Sequence, residues 1–220
     1  MLKRLSNIFR RSTPTTPNGP KTLRSGQHGL SPQKISPGAR KVVEQLSNDG
    51  YDAYLVGGCV RDLMMELKPK DFDVATFRAH HHTDKKNHRE KSQRSAKGML
   101  LRDNMFGSID EDASRRDFTM NAFYYHPQDN SVYDYANGLP DIEQRLVRII
   151  GNPADRYKED PVRMLRALRF AAKLGFKIEH NTANAIGTTH QLLADIPPAR
   201  LYDEVLKLLM NGQALATFQL

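Results

Sequence analysis

Leu55-Val56-Gly57-Gly58-Cys59-Val60-Arg61-Asp62 joins a strand pattern to a helical one through a glycine pair. Before it lies Ala53-Tyr54-Leu55-Val56, a short run of strand formers. After it, Val60 to Leu67 has helical spacing. The glycine pair between them allows a tight turn and close backbone approach, and a helix start offers unpaired N–H groups to an anion. Arg61 falls in the first helical turn, within reach of a phosphate at that point. A plain strand-to-helix turn with Arg61 in a surface ion pair is the alternative.

Outward from this stretch, Val42, Val43 and Leu46 predict a helix beginning near Pro37, and Asn48-Asp49-Gly50 supply its stop. On the other side, Asp71-Phe72-Asp73-Val74-Ala75-Thr76-Phe77 alternates as a strand does. Residues two apart on a strand share a face, so Asp71 and Asp73 present two carboxylates side by side. Like charges at that spacing repel, and a divalent cation relieves the conflict. Oxygen-only ligation suits Mg²⁺ bridging substrate phosphates. Two exposed acids at a strand end remain the simpler alternative.

Residues 79–98 are polar and basic without periodicity, a loop. The adjacent His80-His81-His82 cannot all face one ion and read as solvated. Residues 112–125 predict a helix, 131–135 a short strand, and Asn137-Gly138 a turn. Three further helices are expected: 160–174 ending at Gly175, 182–194, and one running from beyond Pro197-Pro198 through Leu209. Mixed elements followed by helices alone make an α+β chain.

Within the expected helix over 112–125, Arg115 and Arg116 stand at the start, where cations oppose the helix dipole and anionic phosphate would explain them. Asp117 and Asn121 are four apart on one face, suited to a sugar hydroxyl or to each other. In Glu159-Asp160-Pro161-Val162-Arg163, Asp160 reads as an N-cap and Pro161 as a first-turn residue. Asp160 and Arg163 share a side that Arg166 and Arg169 continue. A carboxylate beside a guanidinium offers an acceptor and a donor to a base edge.

The chain has 220 residues, 33 Lys+Arg against 25 Asp+Glu, and a net charge of +8. The whole surplus lies in residues 1–40, which hold eight basic and no acidic residues and five of the 12 prolines. Residues 1–36 are therefore expected to be a disordered basic arm. Within it, Leu2, Leu5, Ile8 and Phe9 fall on one helical face of residues 1–11. That pattern fits an amphipathic helix on an anionic membrane surface and also a mitochondrial presequence, with a solvated tail as the plain alternative. Cys59 is the single cysteine, which excludes an internal disulfide and a cysteine-built zinc site and fits a cytoplasmic setting. No apolar run approaches the ~18 residues of a membrane span.

All four signals occur in order in one chain, and together they resemble the class II nucleotidyltransferases of the DNA polymerase β superfamily. These are the bacterial poly(A) polymerases and CCA-adding enzymes. The matching stretches are LVGGCVRD, KDFDV, ATFR, RRDFTMNAFYY, DYANGLPDI and RYKEDPVRMLRALRFAAKLGF. GMLLRDNMFGSIDED and DIPPARLYDEVLKLL look more like poly(A) polymerase than CCA-adding enzyme. The resemblance implies an α+β head over residues 37–150, with a small mixed sheet and flanking helices, then an all-helical neck over 151–220 that recognises the nucleotide. It implies template-independent transfer of AMP from ATP to an RNA 3′ end. Asp71 and Asp73 would hold two Mg²⁺ ions. Gly57, Gly58 and Arg61 would contact the triphosphate, and Asp117 and Arg116 the ribose and phosphate side. Asp160 and Arg163 would read the incoming base, and Asn121 and Arg166 would also bind the nucleotide. CCA addition to tRNA, or a non-catalytic nucleotide- or RNA-binding remnant, are the alternatives.

The match breaks in two places. In the family a helix and further strands separate the DxD strand from the ATFR strand. Here Val74 runs directly into Ala75-Thr76-Phe77-Arg78, so a few dozen residues, including the third carboxylate, are expected to be missing. The chain also stops at Leu220, inside what reads as a helix, without the RNA-gripping body of relatives. Catalysis by this chain is accordingly expected to be impaired.

Overall fold

The computed structural model describes residues 19–78 and 108–220. In chain order these form β1 (Lys21–Leu23), α1 (Pro37–Asn48), β2 (Tyr51–Val56), α2 (Gly58–Met64) and β3 (Asp73–Arg78). Then come α3 (Ile109–Arg115), β4 (Phe123–His126), β5 (Ser131–Asp134), α4 (Leu139–Glu143) and β6 (Leu146–Val147). The remainder is α5 (Pro153–Glu159), α6 (Val162–Leu174), β7 (Lys177–Ile178), α7 (His180–Thr189), α8 (Pro198–Leu209) and α9 (Ala214–Phe218). The expected residues 1–11 helix, the presequence pattern, the 79–98 loop and His80–His82 lie outside the described residues. No described helix is long and apolar enough to cross a membrane.

The α+β class holds, but the sheet is not mixed. Its five strands run in the order β1-β5-β4-β2-β3, and every neighbouring pair is antiparallel. Only β4 and β5 are joined by a short return; the other pairs are joined through longer stretches and are antiparallel all the same. Residues 151–220 are likewise not purely helical: β7 lies there and pairs in parallel with β6 of the preceding segment, Leu146 opposite Lys177.

The two sheet faces have different covers. Leu55, Phe123, Tyr125 and Val132 face α1 and α2 through Val43, Val60 and Leu63. Tyr124 and Val56 face the other way, against Ala113 of α3 and the rings of Tyr54, Phe77, Tyr133 and Tyr135. Behind them lies a second core, in which Phe118 and Met120 meet Tyr157, Met164 and Phe170 of α5 and α6.

Two expectations are corrected here. The arm does not extend to residue 36. Lys21–Leu23 is a sheet strand paired with β5, and Leu23, Leu30 and Ile35 are at most 5% exposed. His28 is buried as well, accepting from the Leu30 N–H while its Nε2 meets the Asn130 carbonyl. Composition over a polar window missed this, because the partner strand lies a hundred residues downstream. The second correction concerns residues 112–125. The helix ends at Arg115, a 3₁₀ turn covers Thr119–Asn121, and Phe123–His126 is a strand. Phe123, Tyr124 and Tyr125 alternate between the two sheet faces, and this period of two overrides the helical spacing. Arg115 and Arg116 therefore sit at a helix C-terminus, where the dipole favours cations and no anion is needed to explain them.

Candidate functional site

The turn after β2 begins the site. Gly57 has φ +76 and ψ −134, backbone that a side chain strongly disfavours. Its N–H donates to the Phe123 carbonyl at 3.0 Å. A β-carbon here would lie 2.8 Å from Nη1 of Arg116, so the glycine also admits that guanidinium.

Arg61 lies beneath the turn rather than at its surface, 2% exposed. Its Nε and Nη2 donate to Oδ1 of Asp62, its Nη1 donates to Oδ1 of Asn121, and its plane lies 5.3 Å from the Phe170 ring centre. Asn121 in turn donates to Oδ1 of Asp117 at 3.0 Å. The other Asp117 oxygen accepts from Nε of Arg166 at 2.8 Å. One polar chain thus runs Asp62–Arg61–Asn121–Asp117–Arg166, from α2 in the head to α6 in the neck. Burial alone would push the Asp117 carboxyl up. The Arg166 guanidinium, the Asn121 amide and the Phe118 N–H outweigh it and hold the group below its ordinary value. The sequence pairing of Asp117 with Asn121 is met, although a turn rather than a helix brings the two together.

Arg116 is held from several sides. Its Nε donates to Oδ2 of Asp112 and to the Tyr124 hydroxyl, at 3.2 and 2.8 Å, and Nη2 also reaches Asp112. Its Nη1 donates to the Asn121 carbonyl at 3.3 Å. Arg156 of α5 donates to the carbonyls of Arg115 and Arg116, at 2.8 and 2.6 Å, closing the end of α3 from the neck.

Asp160 and Arg163 depart from expectation. Asp160 closes α5 with extended backbone, and Pro161 takes the N-cap position of α6. The Asp160 carboxylate pairs with Arg200 of α8 at 2.8 Å, while its Oδ1 is buried without a hydrogen-bond partner among the described residues. Arg163 turns back to the Arg156 carbonyl at 3.0 Å and to Glu159. The carboxylate and guanidinium therefore adjoin without pairing to each other. Arg156, Arg200, Asp112 and Tyr124 were not singled out from sequence. Arg156, Arg200 and Tyr124 act across fold contacts, whereas Asp112 lies one helical turn before Arg116, an i,i+4 spacing that the sequence did offer.

Asp71 and Asp73 are exposed and flank Phe72, which turns into the sheet core. Asp73 opens β3 opposite Val56, next to the glycine turn, whereas Asp71 lies two residues before the strand begins, so the two do not sit on one strand as expected. Two hard oxygen donors at a turn edge fit Mg²⁺, which keeps waters and takes substrate phosphates as its other ligands. Among the described residues no cluster of three or more His, Cys, Asp or Glu side chains is placed to hold a metal. Donor chemistry fits, with two protein carboxylates in place.

Comparison with known proteins gives a consistent pattern. The poly(A) polymerase head domain model matches residues 53–76 and, separately, 72–148. The model described as the probable RNA- and SrmB-binding site of polymerase A matches residues 175–220. Poly(A) polymerase I of Salmonella typhimurium is 47% identical, covering 88% of this chain and 49% of its own length. The Haemophilus influenzae enzyme of that name is 44% identical over 90% of this chain and 52% of its own. A crystal structure of the Bacillus stearothermophilus CCA-adding enzyme in complex with CTP is 30% identical with a TM-score of 0.65. It covers 83% of this chain and 51% of that one. The chain spans about half the length of the curated relatives it matches. The Salmonella alignment runs over 230 positions, whereas 88% of 220 residues is about 194, so some 36 positions of that relative have no counterpart here. The head-domain match breaks at residues 72–76, where the sequence joins Val74 to Ala75, in line with the expected gap. On these matches, the chain belongs to the nucleotidyltransferase family that includes bacterial poly(A) polymerases and CCA-adding enzymes.

Proposed function

We propose that this chain carries the nucleotide-binding part of an enzyme that adds AMP from ATP to RNA 3′ ends. The observation that carries this reading is the buried Oδ1 of Asp160, which has no hydrogen-bond partner among the described residues and lies three positions before Arg163. An unpaired buried carboxylate oxygen costs about 1–3 kcal/mol, and a ligand donor such as the adenine 6-amino group would recover that cost. Gly57, Gly58 and Arg116 would receive the triphosphate. Arg61 and Asn121, already engaged with each other, would support that turn from below, and Asp117 with Arg166 would hold head and neck at a fixed spacing across the ribose.

Asp71 and Asp73 are the residues that would hold Mg²⁺, which when bound neutralises phosphate charge and lowers the pKa of an attacking hydroxyl. With family positions, including the third carboxylate, expected to be missing after Val74, transfer by this chain is expected to be weak even where ATP binds. The test is tailing of a labelled oligo(A) primer with ATP and Mg²⁺, alongside ATP binding followed by fluorescence. Robust tailing would overturn the impairment, and absence of ATP binding would overturn the reading itself. The CCA-adding alternative draws on CCA-adding relatives at 31–33% identity. CTP-dependent extension of tRNA lacking its 3′ end would favour it.

A further inference from the structure

Tyr124 is fully buried in the head, yet its hydroxyl serves the site. It donates to Oδ2 of Asp112 at 2.6 Å and accepts from Nε of Arg116 at 2.8 Å. The Arg116 guanidinium also lies 5.0 Å from the Tyr124 ring centre, so ring and hydroxyl both hold the same group. Asp112 closes the triangle through Nε and Nη2 of Arg116. The third side is Gly57, whose missing side chain leaves the space that Nη1 occupies.

A guanidinium has five N–H groups. In this arrangement Nε is fully used, and Nη1 and Nη2 each keep one N–H beyond the bonds named. A free arginine samples many rotamers and loses that freedom on binding an anion. One locked by a phenol and a carboxylate has lost it in advance.

From this triangle we infer that Asp112 and Tyr124 are positioning residues, which fix Arg116 against the Gly57 turn so that its remaining N–H groups meet the triphosphate of the nucleotide. The inference rests on the nucleotide-binding reading above. Neither residue touches the nucleotide itself. Both act through Arg116, and Arg156 acts from the neck by holding the backbone that carries it. The Tyr124 phenol is raised above its ordinary value, burial outweighing the nearby Arg116 charge, so it remains a donor to Asp112 across the working pH range.

The experiment compares Tyr124→Phe and Asp112→Asn with the unaltered chain in binding a fluorescent ATP analogue, competed by inorganic tripolyphosphate or by adenosine. Tyr125→Phe is the control, since it removes a phenol bonded to Asn130 on the opposite sheet face. Both test variants should weaken competition by tripolyphosphate about ten-fold, in line with losing a hydrogen bond to a charged group. Competition by adenosine should be unchanged, and Tyr125→Phe should leave both competitors unchanged. Tripolyphosphate affinity equal to that of the unaltered chain overturns the inference. So does an equal loss for adenosine and tripolyphosphate accompanied by a fall in Tm, which marks a purely structural role. If the unaltered chain binds neither competitor, the nucleotide-binding reading fails and this inference with it.

Discussion

At the level of single residues, Gly57 is the most constrained position in the site. Alanine there meets a positive φ and the Arg116 guanidinium at 2.8 Å together. Gly57→Ala should therefore cost about 1–3 kcal/mol in denaturant unfolding and displace Arg116, a combination that Gly58→Ala should not reproduce. Asp117 makes a different prediction. Its folded pKa lies below the unfolded value near 3.9, so its contribution is complete above that pH and fades as pH falls through the folded value. Asp117→Asn should be destabilised at pH 7, and the gap to the unaltered chain should narrow below about pH 4. Part of the site could be read at this scale, because the Gly57 turn and the Asp117–Asn121 pair each fall within a few residues of chain. Arg156 and Arg200 could not, because each reaches its partner 40 or more residues away and no short window contains both ends.

Among the elements, most boundaries set by local chemistry matched, Asp160 closing α5 rather than capping α6 being an exception, and those set by pairing did not. Pro37 and Ser36 open α1, Gly175 at φ +64 closes α6, and Pro197-Pro198 opens α8, each as its residue types predict. β1 and β4 were missed because a strand only three or four residues long carries too little periodicity to outweigh a polar or helical surround. α3 tests local chemistry directly. Ser108 accepts from the Glu111 N–H, and the Glu111 carboxylate accepts from the Ser108 N–H, a reciprocal cap. Ser108→Ala should lower stability by about 1 kcal/mol in thermal or denaturant unfolding, and Ser108→Asp should restore most of it. Because α3 carries Asp112 and Arg116, the same change should loosen triphosphate binding more than it alters the rest of the head.

Over the whole molecule, the described fold takes in residues that composition assigns to the basic arm. Residues 1–18 hold four basic and no acidic residues, whereas residues 19–36 supply a strand and three core side chains. Removing residues 1–18 should leave Tm nearly unchanged. It should reduce the salt dependence of RNA binding by a log–log slope of up to about 3, at roughly 0.7 per charge on single strands. Removing residues 1–36 should instead expose the β5 edge and cost several kcal/mol, since Leu23, Leu30 and Ile35 are each worth about 1.5–3 kcal/mol of burial. A circular dichroism melt separates the two truncations. The pairing of Lys21 with Asp134 has a consequence for synthesis as well. Synthesis yields β1 long before β5, its neighbour among the described strands, exists. At ~5–20 residues per second, β1 waits several seconds on the ribosome without that partner. Its pairing with β5 therefore belongs to the high-contact-order part of folding.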